Sequence, residues 1–136
     1  MNIKYQAIIT YDEEERFFVQ FPTINEAFTE GATLSEALSN AVEVLNLSLE
    51  GRLEDKMEIP PPDTEKSNGC FITPDASIQL ALLIHFNQGK QSLKEMAGCL
   101  GVSEQELESP KNNLTLSNLE QIAHAIGKRL VIDFVA

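Results

Sequence analysis

Long apolar runs, cysteine and positive charge are all scarce in this 136-residue chain. The longest strongly apolar run, Leu80 to Ile84 with Phe86 just beyond it, falls far short of the about 20 residues a bilayer-spanning helix needs. The N-terminal MNIKYQAIITYDEEE lacks the basic-then-apolar plan of a secretory leader. Both absences point to a soluble, cytoplasmic protein with no membrane partner. The two cysteines, Cys70 and Cys99, stand far apart and outside any CxxC or His/Cys cluster. That spacing argues against zinc, and two reduced, packed thiols are expected. GxGxxG, P-loop, HExxH and GxSxG signatures are missing as well. His85 and His124 fall in helical patterns, where a solitary imidazole is a structural residue. The adjacent acids of YDEEE read as a solvated turn, since acid–base work needs carboxylates converging in a cleft. No catalytic residue, metal site or cofactor is expected, and the chain is not read as an enzyme.

Cations number 10 against 21 acids, and the imbalance is lopsided. Residues 1–69 hold 14 acidic and 5 basic side chains, net −9, whereas residues 70–136 hold 7 and 5, net −2. A negative field of this kind repels nucleic acid and speeds encounter with a basic partner at low salt.

What the chain does have is clear periodicity. KYQAIIT (Lys4 to Thr10) and RFFVQF (Arg16 to Phe21) are β-branched and aromatic runs joined by YDEEE, an antiparallel hairpin pattern. Phe18 interrupts the polar face of the second run, and Pro22 stops it. NEAFTE (Asn25 to Glu30) predicts a short third strand closed by Gly31. Thr33 then opens a helix with a capping box, Thr33 with Glu36, and apolar residues at 3/4 spacing from Leu34 to Leu49; Gly51 is its expected end. Three prolines in IPPPDTEKSNG followed by small polar residues mark a linker. The division is therefore 1–59 for a small α+β domain, 60–69 for the proline-rich linker and 70–136 for a second domain. CFIT, Cys70 to Thr73, can return to the first sheet as a further strand or bridge the two domains.

The second half is helical. Thr73-Pro74 suits a helix start, with proline in the first turn, and the helix from Asp75 to about Asn87 is apolar on several faces, as a central helix should be. Three capping boxes follow, Ser92 with Glu95, Ser103 with Glu106 and Ser117 with Glu120. Gly101 sits in the turn between the first two, so LKEMAGCLGVSEQELESP has the rhythm of a helix-turn-helix. The second helix of that motif is acidic, with Glu104, Glu106 and Glu108, and meets Pro110 early. Carboxylates cannot neutralise phosphate, although Glu106 has a capping role and Glu104 suits the positive end of a helix. The DNA-binding residues read from this pattern are Lys94, Gln105, Ser109, Lys111, Asn112 and Asn113. So few cations per chain call for a dimer that sets two motifs about 34–36 Å apart. RLVIDFV, Arg129 to Val135, alternates as a closing strand, and its apolar positions Leu130, Ile132 and Phe134 are the expected dimerisation face. The fold class is thus α+β: a small antiparallel sheet with one helix, followed by an all-α helix-turn-helix domain with a C-terminal strand.

These parts together resemble the HicB family of antitoxins over nearly the whole chain. The resemblance is carried by KYQAIIT, RFFVQFP, EAFTEGATLSEALSNAVEVL, IPPPD and the closing AIGKRLVIDF, with Pro22, Thr29, Gly31, Thr33, Glu36 and Ala37 matching the family's N-terminal signature. It implies a partial ribonuclease-H-like first domain joined to a DNA-binding domain. It also implies an antitoxin that neutralises a small, basic, mRNA-cleaving HicA-like toxin and represses its own operon through operator DNA, as a homodimer or higher oligomer. Acids near the sheet and turn, Asp12, Glu13, Glu14, Glu26 and Glu30, are the residues expected to meet such a toxin. A stand-alone transcription regulator with a ligand- or protein-sensing first domain is the alternative.

Overall fold

In the computed structural model, residues 2–64, 69–87, 93–109 and 114–134 are described. Three strands, β1 (Tyr5–Tyr11), β2 (Phe17–Gln20) and β3 (Phe28–Gly31), precede a long helix, α1 (Leu34–Glu54). A fourth strand, β4 (Cys70–Ile72), leads to four helices: α2 (Ala76–Phe86), α3 (Leu93–Leu100), α4 (Glu104–Glu108) and α5 (Leu116–Ala125). The sheet order is β3-β2-β1-β4 with every neighbour antiparallel, so the mixed α+β class expected of the sequence is what the chain adopts. Alternation decides which way the strands face: Tyr5, Ala7 and Val19 are buried under α1, while Ile8, Thr10 and Gln20 point the other way.

The β1–β2 turn is organised by Asp12, whose Oδ1 accepts from the amides of Glu14 (3.1 Å) and Arg16 (3.0 Å). Glu15 takes the left-handed conformation there, at φ 61°. The third strand starts later than the sequence pattern suggests. Ile24 and Ala27 are buried in a loop in which Phe21 N–H donates to Ala27 and Ala27 N–H to Ile24, leaving 25–27 outside the ladder.

Gly31 has a role other than turning the chain: its φ is not positive, and a Cβ there would lie 2.5 Å from the Ala37 amide nitrogen. Glycine at this position allows α1 to seat directly on β3. Thr33 caps α1 as expected, its hydroxyl accepting from the Glu36 amide at 3.1 Å; the Glu36 carboxylate in return accepts from Ala32 N–H (3.2 Å), one residue before the cap. Ala37, Ala41, Leu45 and Leu49 form the buried stripe. Gly51 does not end this helix. An extra turn persists to Glu54 because Arg52, half-buried, is held by the Glu26 carboxylate at 2.6 and 3.0 Å and by the Glu58 carbonyl at 2.9 Å. Lys56 (φ 53°) then turns the chain.

The proline stretch is fastened along β1. Ile59 is buried, Tyr5 Oη donates to the Pro60 carbonyl (2.8 Å), Asp63 N–H donates to the Lys4 carbonyl (2.9 Å), and the Asp63 carboxylate accepts from Gln6 N–H (2.8 Å). β4 then pairs with β1, Tyr5 opposite Ile72, which is the first of the two roles open to CFIT. The core beneath the sheet takes in Ile72, Ile78 and Leu82; a second core joins Ile84 to Met96, Ala97, Leu107 and Ile122. The two cores therefore meet within α2. This sharing explains why α2 is apolar on several faces.

Pro74 lies just outside α2, whose N-cap is Asp75; the Asp75 amide is bonded to Asn46 Oδ1 of α1 at 2.9 Å. Gly101 (φ 69°) and Gly127 (φ 72°) end α3 and α5 in the same way. In each case the next residue's N–H reaches back five positions, Val102 to Ala97 (3.1 Å) and Lys128 to Ala123 (2.8 Å). Ser103 and Glu106 form the expected reciprocal box (3.0 and 3.3 Å). At α5 the box is Thr115 with Asn118, both bonds 3.1 Å. Ser117 and Glu120 do not form it, because the helix begins at Leu116 and Ser117 is already in its first turn. Ser92 lies outside the described residues.

Two further expectations are corrected. Residues 129–134 form no strand and pair with neither edge of the sheet, and Val135 lies outside the described residues. Cys99 is exposed and not packed, whereas Cys70 is half-buried in β4; both are free thiols.

Candidate interaction surfaces

The five acids read from the sequence do not form one patch of free carboxylates. Glu13 and Glu14 are exposed at the hairpin tip. Asp12 spends its carboxylate on the turn itself. Glu26 and Glu30 are paired within the chain, Glu26 to Arg52 and Glu30 to Arg16 (3.2 Å). The Arg52 guanidinium holds the Glu26 carboxyl below its ordinary range, and Glu26 raises Arg52 in turn. Burial pushes the Tyr5 phenol well above its ordinary value, which keeps its proton available for the Pro60 carbonyl.

Sequence reasoning missed a different feature of the same region. α1 covers one face of the sheet and leaves the opposite face open. On that open face the strand register aligns Ile8, Gln20 and Phe28 in one row and Thr10, Phe18 and Glu30 in the next. Ile8 is 47% and Phe28 66% exposed. A shallow recess of about 370 Å³ beside them is walled by Gln20, Pro22, Asn25 and Ala27. The break in polarity at Phe18 was the one signal of this surface in the sequence.

In the second half, Met96 and Ala97 of α3 meet Leu107 of α4 across the Gly101–Ser103 turn. Lys94 is exposed on α3 and Gln105 on α4. Ser109 is half-buried as the residue that closes α4, its N–H donating to the Glu106 carbonyl (3.3 Å). Lys111, Asn112 and Asn113 lie outside the described residues. Leu130 is half-buried at the edge of a cavity of about 550 Å³ between α2 and α5, while Val131, Ile132 and Phe134 are 78%, 62% and 98% exposed.

Among the described residues no group of three or more His, Cys, Asp or Glu side chains is placed to hold a metal ion, and no helix is long and apolar enough to cross a membrane.

Comparison with known proteins bears on both halves. The family described as "HicB_like antitoxin of bacterial toxin-antitoxin system" matches residues 4–82, which takes in the whole sheet, α1 and the part of α2 that completes the first core. Antitoxin HicB 2 of Photorhabdus laumondii is 33% identical over 134 residues, covering 95% of this chain and 94% of its own length. Antitoxin HicB 1 of the same organism is 29% identical over 135 residues, covering 97% and 87%. Antitoxin HicB of Escherichia coli K12 is 29% identical over 138 residues, covering 98% and 100%. With its sheet, its fastened proline stretch and its C-terminal helices all inside these matches, the chain belongs to the HicB-like antitoxin family.

Proposed function

We propose that this chain is an antitoxin that acts by binding and not by catalysis: its sheet-bearing part masks a small, basic, HicA-like mRNA-cleaving toxin, and its C-terminal helices bind operator DNA to repress its own operon. The observation that carries the reading is the likeness to HicB antitoxins along almost the full chain, together with the net −9 of residues 1–69. Such a charge favours association with a cationic ribonuclease and opposes contact of that part with RNA.

For DNA, the α3–turn–α4 pair supports a helix-turn-helix reading, with Lys94 and Lys111 at phosphates and Gln105, Ser109, Asn112 and Asn113 near bases. α4 is acidic and short, so affinity has to come from two copies acting together. Leu130, Ile132 and Phe134, the last two exposed, supply a self-pairing face for that dimer. A cytoplasmic location follows from this role.

Co-expression with a small basic HicA-like toxin tests the reading. A stable complex and restored growth are expected, together with promoter binding that falls steeply with salt. A chain that binds its promoter while leaving the toxin free would instead be a stand-alone regulator. Lys94→Ala with Lys111→Ala should weaken binding on every DNA sequence, while a Gln105 substitution should change base preference.

A further inference from the structure

In a sheet covered on one side, the outward positions are ordinarily polar. Here three of the six registered outward positions on β1, β2 and β3 are Ile8, Phe18 and Phe28, and two of these stand well exposed beside a recess. Three kinds of occupant could cover such a face: the bases of a single-stranded RNA stacked on the phenylalanines, a second copy of this chain, or a protein surface of opposite charge.

Electrostatics separates them. Arg16, on this face, is already paired with Glu30, and Lys4 is withdrawn, 8% exposed with its ammonium 4.8 Å from the centre of the Phe71 ring. Glu13 and Glu14 stand at the hairpin tip, and residues 1–69 as a whole carry net −9. Phosphates would be repelled, because single-strand binding needs a cationic track beside its stacking rings. A second copy would bring the same sign of charge to the same place. A basic protein surface with an apolar centre gains on both counts, with attraction at the rim and burial of apolar side chains in the middle.

We propose that the uncovered face of the sheet, centred on Ile8 and Phe28 and rimmed by Glu13 and Glu14 of the hairpin tip, is the seat of the basic protein partner. The proposal rests on the antitoxin reading for the partner's existence and adds where it binds and through which side chains. The aromatic and aliphatic centre supplies most of the affinity, and the acids speed the encounter. Phe28, the most exposed of the three, is the anchor beside the recess.

The test uses the full chain and a purified small basic HicA-like toxin, with affinity measured by calorimetry at fixed salt. Phe28→Asp and Ile8→Asp should each weaken binding at least 10-fold. Leu47→Asp, on the exposed side of α1 where Leu47 is 69% exposed, should leave it unchanged. Gln20→Arg, which places a cation in the middle of the face without touching the core, should weaken binding in the same direction. It also keeps the test decisive if an aspartate variant fails to fold. Unchanged affinity in Gln20→Arg and the folded face variants, or a loss confined to Leu47→Asp, overturns the proposal while the antitoxin reading stands. If the unaltered chain does not bind the basic protein at all, the reading fails and the proposal with it. Tight binding of a fluorescent single-stranded RNA that Phe28→Asp abolishes would make the face a nucleic-acid surface and overturn it too.

Discussion

Replacing Gly31 by alanine would set a methyl carbon 2.5 Å from the Ala37 nitrogen and 2.8 Å from its Cα. Ordinary contact begins near 3.4 Å, so the first turn of α1 would have to retreat by about 0.9 Å. The obstacle is helix backbone, which cannot rotate away as a side-chain tip can. Retreat would also loosen Ala37 and Ala41, both fully buried against the sheet. Overpacking of this kind costs about 1–3 kcal/mol. Gly51 supplies the internal control. It lies in the last turns of the same helix with nothing within 4 Å of a built Cβ, so Gly51→Ala should stabilise by about 0.5–1 kcal/mol through backbone entropy and helix propensity. Two identical substitutions, one beneath the first turn of α1 and one in its last turns, should therefore shift the urea midpoint in opposite directions. With a slope of about 1–3 kcal/mol per molar urea, the two variants should differ by roughly 1 M. A neutral Gly31→Ala would refute the seating of α1 on β3. A destabilised Gly51→Ala would refute the continuation of α1 through position 51.

Acid should weaken the clip between α1 and the β2–β3 loop. The Glu26 carboxyl is lowered by Arg52, so its contribution is fully present above the ordinary carboxylate range and is lost as pH falls through that range to its lowered value. Glu26 is 46% exposed, so solvent screening holds the effect below about 1 kcal/mol. Between pH 7 and pH 3 the unaltered chain should lose more of its urea midpoint than Glu26→Gln does. Tyr5→Phe removes the bond to the Pro60 carbonyl, and should cost about 1 kcal/mol and speed proteolytic cutting at 60–64. Ile132→Asp with Phe134→Asp should leave the circular dichroism spectrum unchanged, since both side chains are exposed in the single chain, and abolish the proposed self-association in sedimentation.

Several local signals in this sequence translate directly into structure. The alternation of β1 and β2, the Ser103–Glu106 box and the left-handed Gly101 each depend on residues a few positions apart. Features set by distant partners were not legible. α1 outruns Gly51 because Arg52 finds Glu26, 26 positions earlier, and the proline stretch is fastened because Asp63 meets Gln6 across 57. The candidate site divides in the same way. The acids were visible by composition, yet their pairing with Arg16 and Arg52 was not, and neither was the alignment of Ile8 with Phe28, which needs the register of three strands. The closing run alternates like a strand, but alternation alone cannot supply the second edge that a ladder requires.

α2 lends Ile78 and Leu82 to one core and Ile84 to the other within 11 residues. Neither half can release it without wetting its own interior. A protease that trims the C-terminal helices would strand α2 with one side bare. Loss of those helices should thus lower the stability of the sheet half as well.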